Sequence, residues 1–527
     1  MSSIALSNVS WSAPDGQLVL SDISLSFQRE RAGIVGRNGV GKSTLLKLVS
    51  GDLTASRGRV RVDGSIGTLR QMVQISPGET IADLMGASAG LGLLRKAEAG
   101  TASIEELAEA DWLLEARAAE VLAKVGLDAQ LDARLLTLSG GQRTRAALAG
   151  VLFREPDFLL LDEPTNDLDR DGRKAVRELL EGWCAGALVV SHDRELLECL
   201  DAIVELTSLG ATRYGGNWSA YQARKAIEQD AVEQDLASAE RRVTEVARKA
   251  QLAVERQQRR DAAGNRRGAR GDLPRILIGA RRDRAEGSGG EGARLAHRMR
   301  AEADEALGAA RSRVERTTTL RLELASTNLA AGTRVLDVEH VRFGYTPARP
   351  LIDDLSLHLV GPERVAICGS NGSGKSTLLR LIAGDLAPWE GETTVRVPFA
   401  YFDQRVSILR PKATIAENFR ALNPGMIDND CRAVLARFAF RAEAADRCVA
   451  TLSGGQLLRA GLACVLGGSR PPQLVVLDEP TNHLDMESIA AVEAGLAAFD
   501  GALLVVSHDA AFLQAIGITR RIELAAT

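Results

Sequence analysis

Apolar and polar positions alternate through residues 1–30, with Ile4, Leu6 and Val9, then Leu18, Leu20, Ile23, Leu25 and Phe27. A period of two predicts antiparallel strands. The pattern returns over residues 335–360, in Val335, Leu336, Val338 and Val341 and then in Leu351, Leu355, Leu357 and Leu359. Unbroken apolar runs follow in each half. They are Gly33-Ile34-Val35 and Val365-Ala366-Ile367-Cys368, Phe158-Leu159-Leu160-Leu161 and Leu474-Val475-Val476-Leu477, Ala187-Leu188-Val189-Val190 and Leu503-Leu504-Val505-Val506. A strand with no polar face is covered on both sides, as in a parallel sheet between helices. Residues 81–137 instead space Leu107, Trp112, Leu113, Ala116, Ala119 and Val121 as a helix does, which predicts a helical subdomain with that stripe in its core.

The halves are two copies of one plan. Lys42 and Gln71 recur 333 residues later as Lys375 and Gln404, Ser139 recurs 314 later as Ser453, and Asp162 and His192 recur 316 later as Asp478 and His508. The first copy therefore holds 19 extra residues between Gln71 and Ser139, inside its helical subdomain. Two α/β domains are expected, 1–220 and 331–527, joined by residues 221–330.

Between an apolar run and a Leu-rich helical stretch, each copy carries a glycine-rich turn. These are Gly36-Arg37-Asn38-Gly39-Val40-Gly41-Lys42-Ser43-Thr44 and Gly369-Ser370-Asn371-Gly372-Ser373-Gly374-Lys375-Ser376-Thr377. Glycines let backbone amides turn inward around phosphate oxygens, and the helix N-terminus behind them attracts anions. Lys42 and Lys375 are placed to reach the β- and γ-phosphates of a nucleotide, and Ser43 and Ser376 to ligate Mg²⁺. Asp162 and Asp478 close buried strands and are candidates to hold the same ion. Glu163 and Glu479, next in sequence, are candidates to polarise an attacking water. A further strand in each copy ends in Ser-His-Asp, which makes His192 and His508 candidates for contact with the γ-phosphate.

Leu138-Ser139-Gly140-Gly141-Gln142 and Leu452-Ser453-Gly454-Gly455-Gln456 open helices expected over Thr144 to Leu152 and Leu457 to Leu466. Serine caps a helix well, and paired glycines let backbone amides approach an anion. An aromatic residue stands ahead of each phosphate loop, Trp11 in one copy and Phe343 or Tyr345 in the other. It either stacks on adenine or fills a strand face.

The order phosphate loop, glutamine, Leu-Ser-Gly-Gly-Gln, Asp-Glu-Pro-Thr-Asn, Ser-His-Asp resembles the ATP-binding cassette ATPases. Two cassettes on one chain, the run Asp478-Glu479-Pro480-Thr481-Asn482-His483-Leu484-Asp485, and Tyr214-Gly215-Gly216-Asn217-Trp218-Ser219-Ala220-Tyr221 are similar to the ABC-F family in particular. Asp167 stands where that family usually has His. The resemblance covers nearly the whole chain. It implies tandem P-loop cassette domains joined by a long helical-hairpin linker, with ATP hydrolysis at two composite sites. One site would pair Lys42, Asp162, Glu163 and His192 with Ser453, Gly454 and Gly455. The other would pair Lys375, Asp478, Glu479 and His508 with Ser139, Gly140 and Gly141. Gln142 and Gln456 belong with these turns, and Gln71 and Gln404 with the metal.

Residues 222–263 are rich in Ala, Glu, Gln and Arg and read as one charged helix. Residues 264–292 are rich in Gly and Arg, and residues 293–316 read as helical again, so an αα-hairpin is expected. From Arg248 to Arg300 there are fifteen Lys or Arg against six Asp or Glu, a net +9, in a chain whose net charge is −4. A basic arm on an acidic body is the footprint of nucleic-acid backbone binding, and without aromatics at the tip it fits phosphate and shape recognition. In the ABC-F family the interdomain linker reaches into the ribosome toward tRNA, so the resemblance implies ribosomal RNA and tRNA as partners of residues 248–300.

The remaining bulk properties narrow the alternatives. No run approaches 18 apolar residues and the start shows no basic region before an apolar one, so a cytoplasmic monomer with an intramolecular pair of cassettes is expected. Six cysteines form no Cys-x-x-Cys pair and read as isolated thiols of a reducing compartment. A transporter ATPase subunit needs no basic arm. A DNA-associated member would favour a C-terminal coiled coil, whereas the sequence stops about 20 residues after His508.

Overall fold

The computed structural model describes residues 2–69, 76, 78–166, 168–268, 297–308, 324–346, 349–482 and 484–524. In it the period-two segments pair as antiparallel strands. β1 (Ser3–Ser12) lies between β2 (Leu18–Phe27) and β4 (Arg57–Asp63), with β3 (Arg31–Val35) in a different sheet. The unbroken apolar runs build that second sheet. Its order is β5-β6-β7-β3-β8-β9, with β5 (Ile66–Leu69), β6 (Phe158–Asp162), β7 (Gly186–Val190), β8 (Ala202–Thr207) and β9 (Gly210–Gly215). All neighbours in it are parallel except the antiparallel edge pair of β8 and β9.

The second copy repeats this. β10 (Arg334–Phe343) lies between β11 (Ile352–Val360) and β13 (Glu390–Val395). The parallel sheet runs β14-β15-β16-β12-β17, with β12 (Arg364–Cys368), β14 (Phe399–Phe402), β15 (Leu474–Asp478), β16 (Ala502–Val506) and β17 (Arg520–Glu523).

The apolar runs of β6 and β15, unbroken up to the closing aspartates, have a direct cause. Side chains alternate across a strand, and both faces here are interior. Phe158 and Leu160 pack with the antiparallel sheet and the phosphate-loop helix, whereas Leu159 and Leu161 pack with the helical subdomain. Leu474 and Val476, against Val475 and Leu477, divide the same way. Each parallel sheet is thus the middle layer of three. Its strand ends are held by two cores at once, which fixes whatever the loops after them carry.

The helical subdomain corrects one expectation. Its helices are Ile81–Met85, Ser88–Glu98, Ile104–Glu109 and Leu114–Lys124. The buried stripe is Leu114, Ala118, Leu122 and Val125, while Trp112 and Leu113 are 62% and 67% exposed, and Leu107, Ala116 and Ala119 also face solvent. The helical phase begins later than the spacing predicts. Asp111 Oδ1 accepts from the Leu113 amide in a turn, and the helical period starts afresh at Leu114.

Residues 1–221 and 320–527 form one compact unit and residues 222–319 another. One helix runs Trp218–Gly268, 51 residues or about 75 Å at 1.5 Å per residue, and residues 297–308 are helical. The helix runs five residues past its expected end at 263, and the rest of the expected irregular tip, residues 269–292 with Arg270, Arg275, Arg281, Arg282 and Arg284, lies outside the described residues. No helix among the described residues is long and apolar enough to cross a membrane. All six cysteines are free thiols.

Candidate functional site

Each glycine-rich turn leaves a buried parallel strand, β3 or β12, and enters a helix, Lys42–Ser50 or Lys375–Ala383. Gly36 and Gly369 have φ of +151° and +144°, and a Cβ would fall 2.3 Å from Leu206 O or 2.6 Å from Leu524 O. Only glycine fits there. Lys42 Nζ donates to Gly36 O at 2.7 Å and Arg37 O at 3.3 Å, and Lys375 Nζ to Gly369 O at 2.8 Å and Ser370 O at 2.9 Å. Each ammonium thus sits within its own loop, where phosphate oxygens would be received. Burial lowers the pKa of both lysines against the pull of nearby carboxylates, Glu163, Asp485 and Asp162 for Lys42 and Glu479, Asp169 and Asp478 for Lys375.

At the ends of β6 and β15, Asp162 is hydrogen-bonded to the Ser43 hydroxyl, and Ser376 Oγ donates to Asp478 Oδ1 at 3.1 Å. Burial raises the pKa of both aspartates. Among the described residues no three His, Cys, Asp or Glu gather as a metal cage. A hydroxyl beside one carboxylate fits Mg²⁺, a small hard cation that takes its remaining ligands from phosphate and water.

The next residue in each copy is strained. Glu163 and Glu479 have φ of +50° and +47°, a left-handed conformation that costs a non-glycine residue about 1–2 kcal/mol. Their amides donate to Val190 O and Val506 O, both at 2.9 Å, which pins the turn to the neighbouring strand. Each carboxylate accepts from the backbone amide of the histidine, His192 or His508. Burial pushes Glu479 up to about 7 and holds Glu163 well above the usual carboxylate range. It drives His192 down to about 3 and His508 down to about 4, so both rings are neutral. His192 Nε2 lies 3.2 Å from Glu163 Oε1 and His508 Nε2 3.5 Å from Glu479 Oε1, without the alignment of a hydrogen bond. Each site therefore holds a proton-hungry carboxyl beside a neutral imidazole, a pair able to orient water and receive its proton.

The two copies face each other through these loops. Asn38 N donates to Asp485 Oδ2 at 2.7 Å, and Asn371 N donates to Asp169 Oδ2 at 3.3 Å. Arg37 pairs with Glu487 beside the first of these bonds. Arg194, two residues after His192, forks onto Glu493 at 2.7 and 3.0 Å. Asp169 and Asp485 are functional residues that no motif role assigns. The available signal was their recurrence at the 316-residue offset as caps of the helices Arg170–Glu181 and Met486–Ala498.

Ser139 and Ser453 cap their helices as expected, but the helices begin at once, at Gly140 and Gly454. The Gln142 and Gln456 side chains fold back onto the serine amides at 2.9 and 3.3 Å, closing capping boxes. Burial lowers the pKa of Arg459 in the second of these helices, against the pull of Glu487 and Asp485. Phe343 is buried, whereas the Tyr345 ring is 62% exposed with its hydroxyl 3.2 Å from Thr377 Oγ1. Trp11 is half-buried against the core under β1. Gln404 is exposed on the turn after β14; Gln71 and Asp167 lie outside the described residues.

The ABC transporter family model matches residues 20–166 and 352–482, just over half the chain. The tylosin resistance ATP-binding protein TlrC of Streptomyces fradiae is 34% identical over 94% of this chain and 92% of its own length. The energy-dependent translational throttle protein EttA of Mycobacterium tuberculosis is 31% identical over 94% of this chain and 87% of its own. Among solved structures, an RNase-L inhibitor shares the fold at 19% identity and a TM-score of 0.57, over 97% of this chain and 86% of that one. An archaeal ribosome recycling factor, solved with a ribosomal stalk protein, does so at 19% and 0.55, over 98% and 87%. With a cassette matched in each half and relatives aligned along nearly its full length, the chain belongs to the ABC-F family of tandem ATP-binding cassette ATPases.

Proposed function

We propose that this ATPase is a cytoplasmic, monomeric translation factor that acts on the ribosome through residues 221–330. The reciprocal bonds of Asp485 to Asn38 and Asp169 to Asn371 carry the reading. They make each phosphate loop depend on the opposite cassette, as a clamp closed by nucleotide requires. The similarity to a translational throttle and to a tylosin resistance protein supports the ribosome as the target. The net +9 between Arg248 and Arg300 supports contact with RNA phosphates.

In this reading Lys42 and Lys375 bind the β- and γ-phosphates of two ATP molecules. Ser453, Gly454 and Gly455 complete the first site, and Ser139, Gly140 and Gly141 the second. Trp11 and Tyr345 lie against the adenines. Ser43 with Asp162 and Gln71, and Ser376 with Asp478 and Gln404, would hold Mg²⁺, which when bound neutralises phosphate charge. Glu163 and Glu479 accept the proton of a water that attacks the γ-phosphorus as the bond to the β-phosphate oxygen breaks. His192 and His508 orient that water and the γ-phosphate. ATP favours closure and its loss permits opening, which moves the linker.

The test is the Glu163→Gln/Glu479→Gln double variant. It should bind ATP, turn over at least about 100-fold more slowly, and co-sediment with ribosomes when ATP is present. Native turnover would overturn the glutamate assignment. Partition with membranes in place of ribosomes would favour a transporter subunit. A second reading, protection of the ribosome against tylosin, is favoured by the relative named for it. A raised tylosin tolerance in a sensitive host expressing this chain would establish that reading, and unchanged tolerance would remove it.

A further inference from the structure

The outer face of the first antiparallel sheet carries its positive charge along one edge. Val62 and Val60 of β4 pack into the core opposite Ile4 and Leu6 of β1. Arg59 and Arg61 alternate with them and point outward, and Arg57 is exposed two residues before Arg59. β4 is an edge strand, so the three guanidinium groups form a rail. Asp63 pairs with Arg61 at 3.1 Å, and among the described residues no carboxylate pairs with Arg57 or Arg59.

Beside the rail the face is small and uncharged. Arg61 lies opposite Ala5, which lies opposite Ser26 of β2. Arg59 lies opposite Ser7, and the next amide, Asn8 N, donates to Ser24 Oγ at 3.0 Å. Asp22, further along β2, is engaged by Asn8 Nδ2 at 2.8 Å. A shallow floor of serine and alanine about 10 Å wide thus runs along the arginines.

The second copy reverses the sign. At the 333-residue offset Arg57 and Arg59 become Glu390 and Glu392 of β13, and at 332 Ser7 becomes Glu339 of β10, which lies opposite Glu392. The strands pair in the same way, so strand geometry does not demand arginine. Charge on an edge strand keeps other strands away, but either sign serves that purpose. Arginines repeating about every 6.6–6.8 Å over a hydroxyl floor suit a phosphodiester backbone, which arginine and serine both hold.

We propose that this face of the first cassette docks the phosphate backbone of ribosomal RNA, with Arg57 and Arg59 as its anchors. The proposal rests on the ribosome reading above and adds a contact outside residues 221–330. The rail is a local exception on an acidic body, and Glu390 and Glu392 bar the same RNA from the matching face of the second cassette.

Ribosome co-sedimentation with ATP tests this, in the Glu163→Gln/Glu479→Gln background and from about 50 to about 200 mM KCl. Arg57→Thr/Arg59→Thr should weaken binding about tenfold and lower the slope of log affinity against log salt by about 1–2, since each lost phosphate contact removes close to one unit. Arg57→Glu/Arg59→Glu, which copies the second cassette, should weaken it further. Neither change touches a nucleotide site, so ATP turnover in the otherwise native chain should stay within about twofold, which also shows that the variants fold. Glu390→Arg/Glu392→Arg should change binding by less than about twofold. Unchanged affinity and slope in the arginine variants would overturn the proposal. So would a gain from Glu390→Arg/Glu392→Arg equal to the loss from Arg57→Thr/Arg59→Thr, which would show general charge attraction. Arginine-dependent binding to phosphatidylserine vesicles but not to ribosomes would assign the face to a membrane surface and overturn it too. Absence of co-sedimentation with all arginines in place would remove the ribosome reading itself, and this proposal with it.

Discussion

Asp485 shares one carboxylate between two tasks. Its Oδ1 accepts from the Ser488 amide at 2.9 Å and caps the helix Met486–Ala498, while its Oδ2 accepts from the Asn38 amide 447 residues away. Asp169 repeats this with the Gly172 and Asn371 amides at 3.0 and 3.3 Å. The two tasks can be separated. Asp485→Asn keeps an oxygen for the cap but turns an NH₂ group toward the Asn38 N–H. The variant should unfold within about 1 kcal/mol of the native protein yet lose about tenfold or more in ATP turnover, because a charge-assisted bond is worth about 1.5–3 kcal/mol. Thermal unfolding beside steady-state hydrolysis checks both halves, and full turnover would show the cross-cassette bond to be incidental.

The fork of Arg194 on Glu493 joins the cassettes where both side chains are largely buried. Burial raises the pKa of Glu493, and Arg194 is the main force opposing that rise. Arg194→Ala should cost about 3 kcal/mol, since breaking such a pair strands a charge. The Arg194→Ala/Glu493→Ala double variant should recover part of that loss. Denaturant unfolding of the four-member cycle measures it; additive losses would show that the pair is not coupled.

Stability should respond to pH through the buried glutamates. Glu479, pushed up from 4.5 to about 7, keeps its proton in the folded protein after the unfolded chain has lost it. The folded state then binds more protons, so this contribution is complete below pH 4.5 and is lost as pH rises through 7. Glu163 has the same sign. The histidines run the other way. Their folded values of about 3 and about 4 lie under the ordinary 6.5, so their contribution is present above pH 6.5 and is lost as pH falls. Glutamine at 163 and 479 removes only the first effect. The double variant should be more stable than the native protein, by a margin that grows from pH 5 to pH 8 and reaches on the order of a few kcal/mol. Melting temperatures across that range decide it, and a margin independent of pH would contradict the burial argument.

Two glycines of the first phosphate loop should behave differently on substitution by alanine. At Gly36 a new Cβ meets Leu206 O at 2.3 Å, whereas at Gly39, with φ of +82°, nothing lies within 4 Å. Gly39→Ala should cost only the left-handed conformation, about 1–2 kcal/mol. Gly36→Ala should displace the loop and abolish nucleotide binding at that site. Titration with a fluorescent ATP analogue would distinguish them, and equal affinities would mean the loop yields more readily than its packing implies.

Most of the fold is legible because each level of the sequence agrees with the next. The apolar runs of β6 and β15 declare two covered faces, and the carboxylates that end them sit where strand geometry puts them. The offsets of 333, 314 and 316 residues align one copy on the other. The failures are equally physical. Periodicity alone puts Trp112 and Leu113 in a core, because it does not reveal that the turn at Asp111 restarts the count. The left-handed backbone of Glu163 and Glu479 is invisible in residue type, since glycine would adopt it more readily. Arg194 and Glu493 carry no motif. Their roles arise only when segments hundreds of residues apart are brought together.

The capping boxes at Ser139 and Ser453 leave a hydroxyl hydrogen still to be directed. Each oxygen spends a lone pair on the amide three positions ahead, and that use alone would be met equally well by aspartate. Aspartate would start the helix but present a negative charge and no donor to an incoming anion. Serine is the neutral choice that starts a helix and can still donate to a phosphate oxygen. On the proposed role of these turns, folding and ligand capture would share one atom at the two positions, and replacement by aspartate would spare the first while forbidding the second.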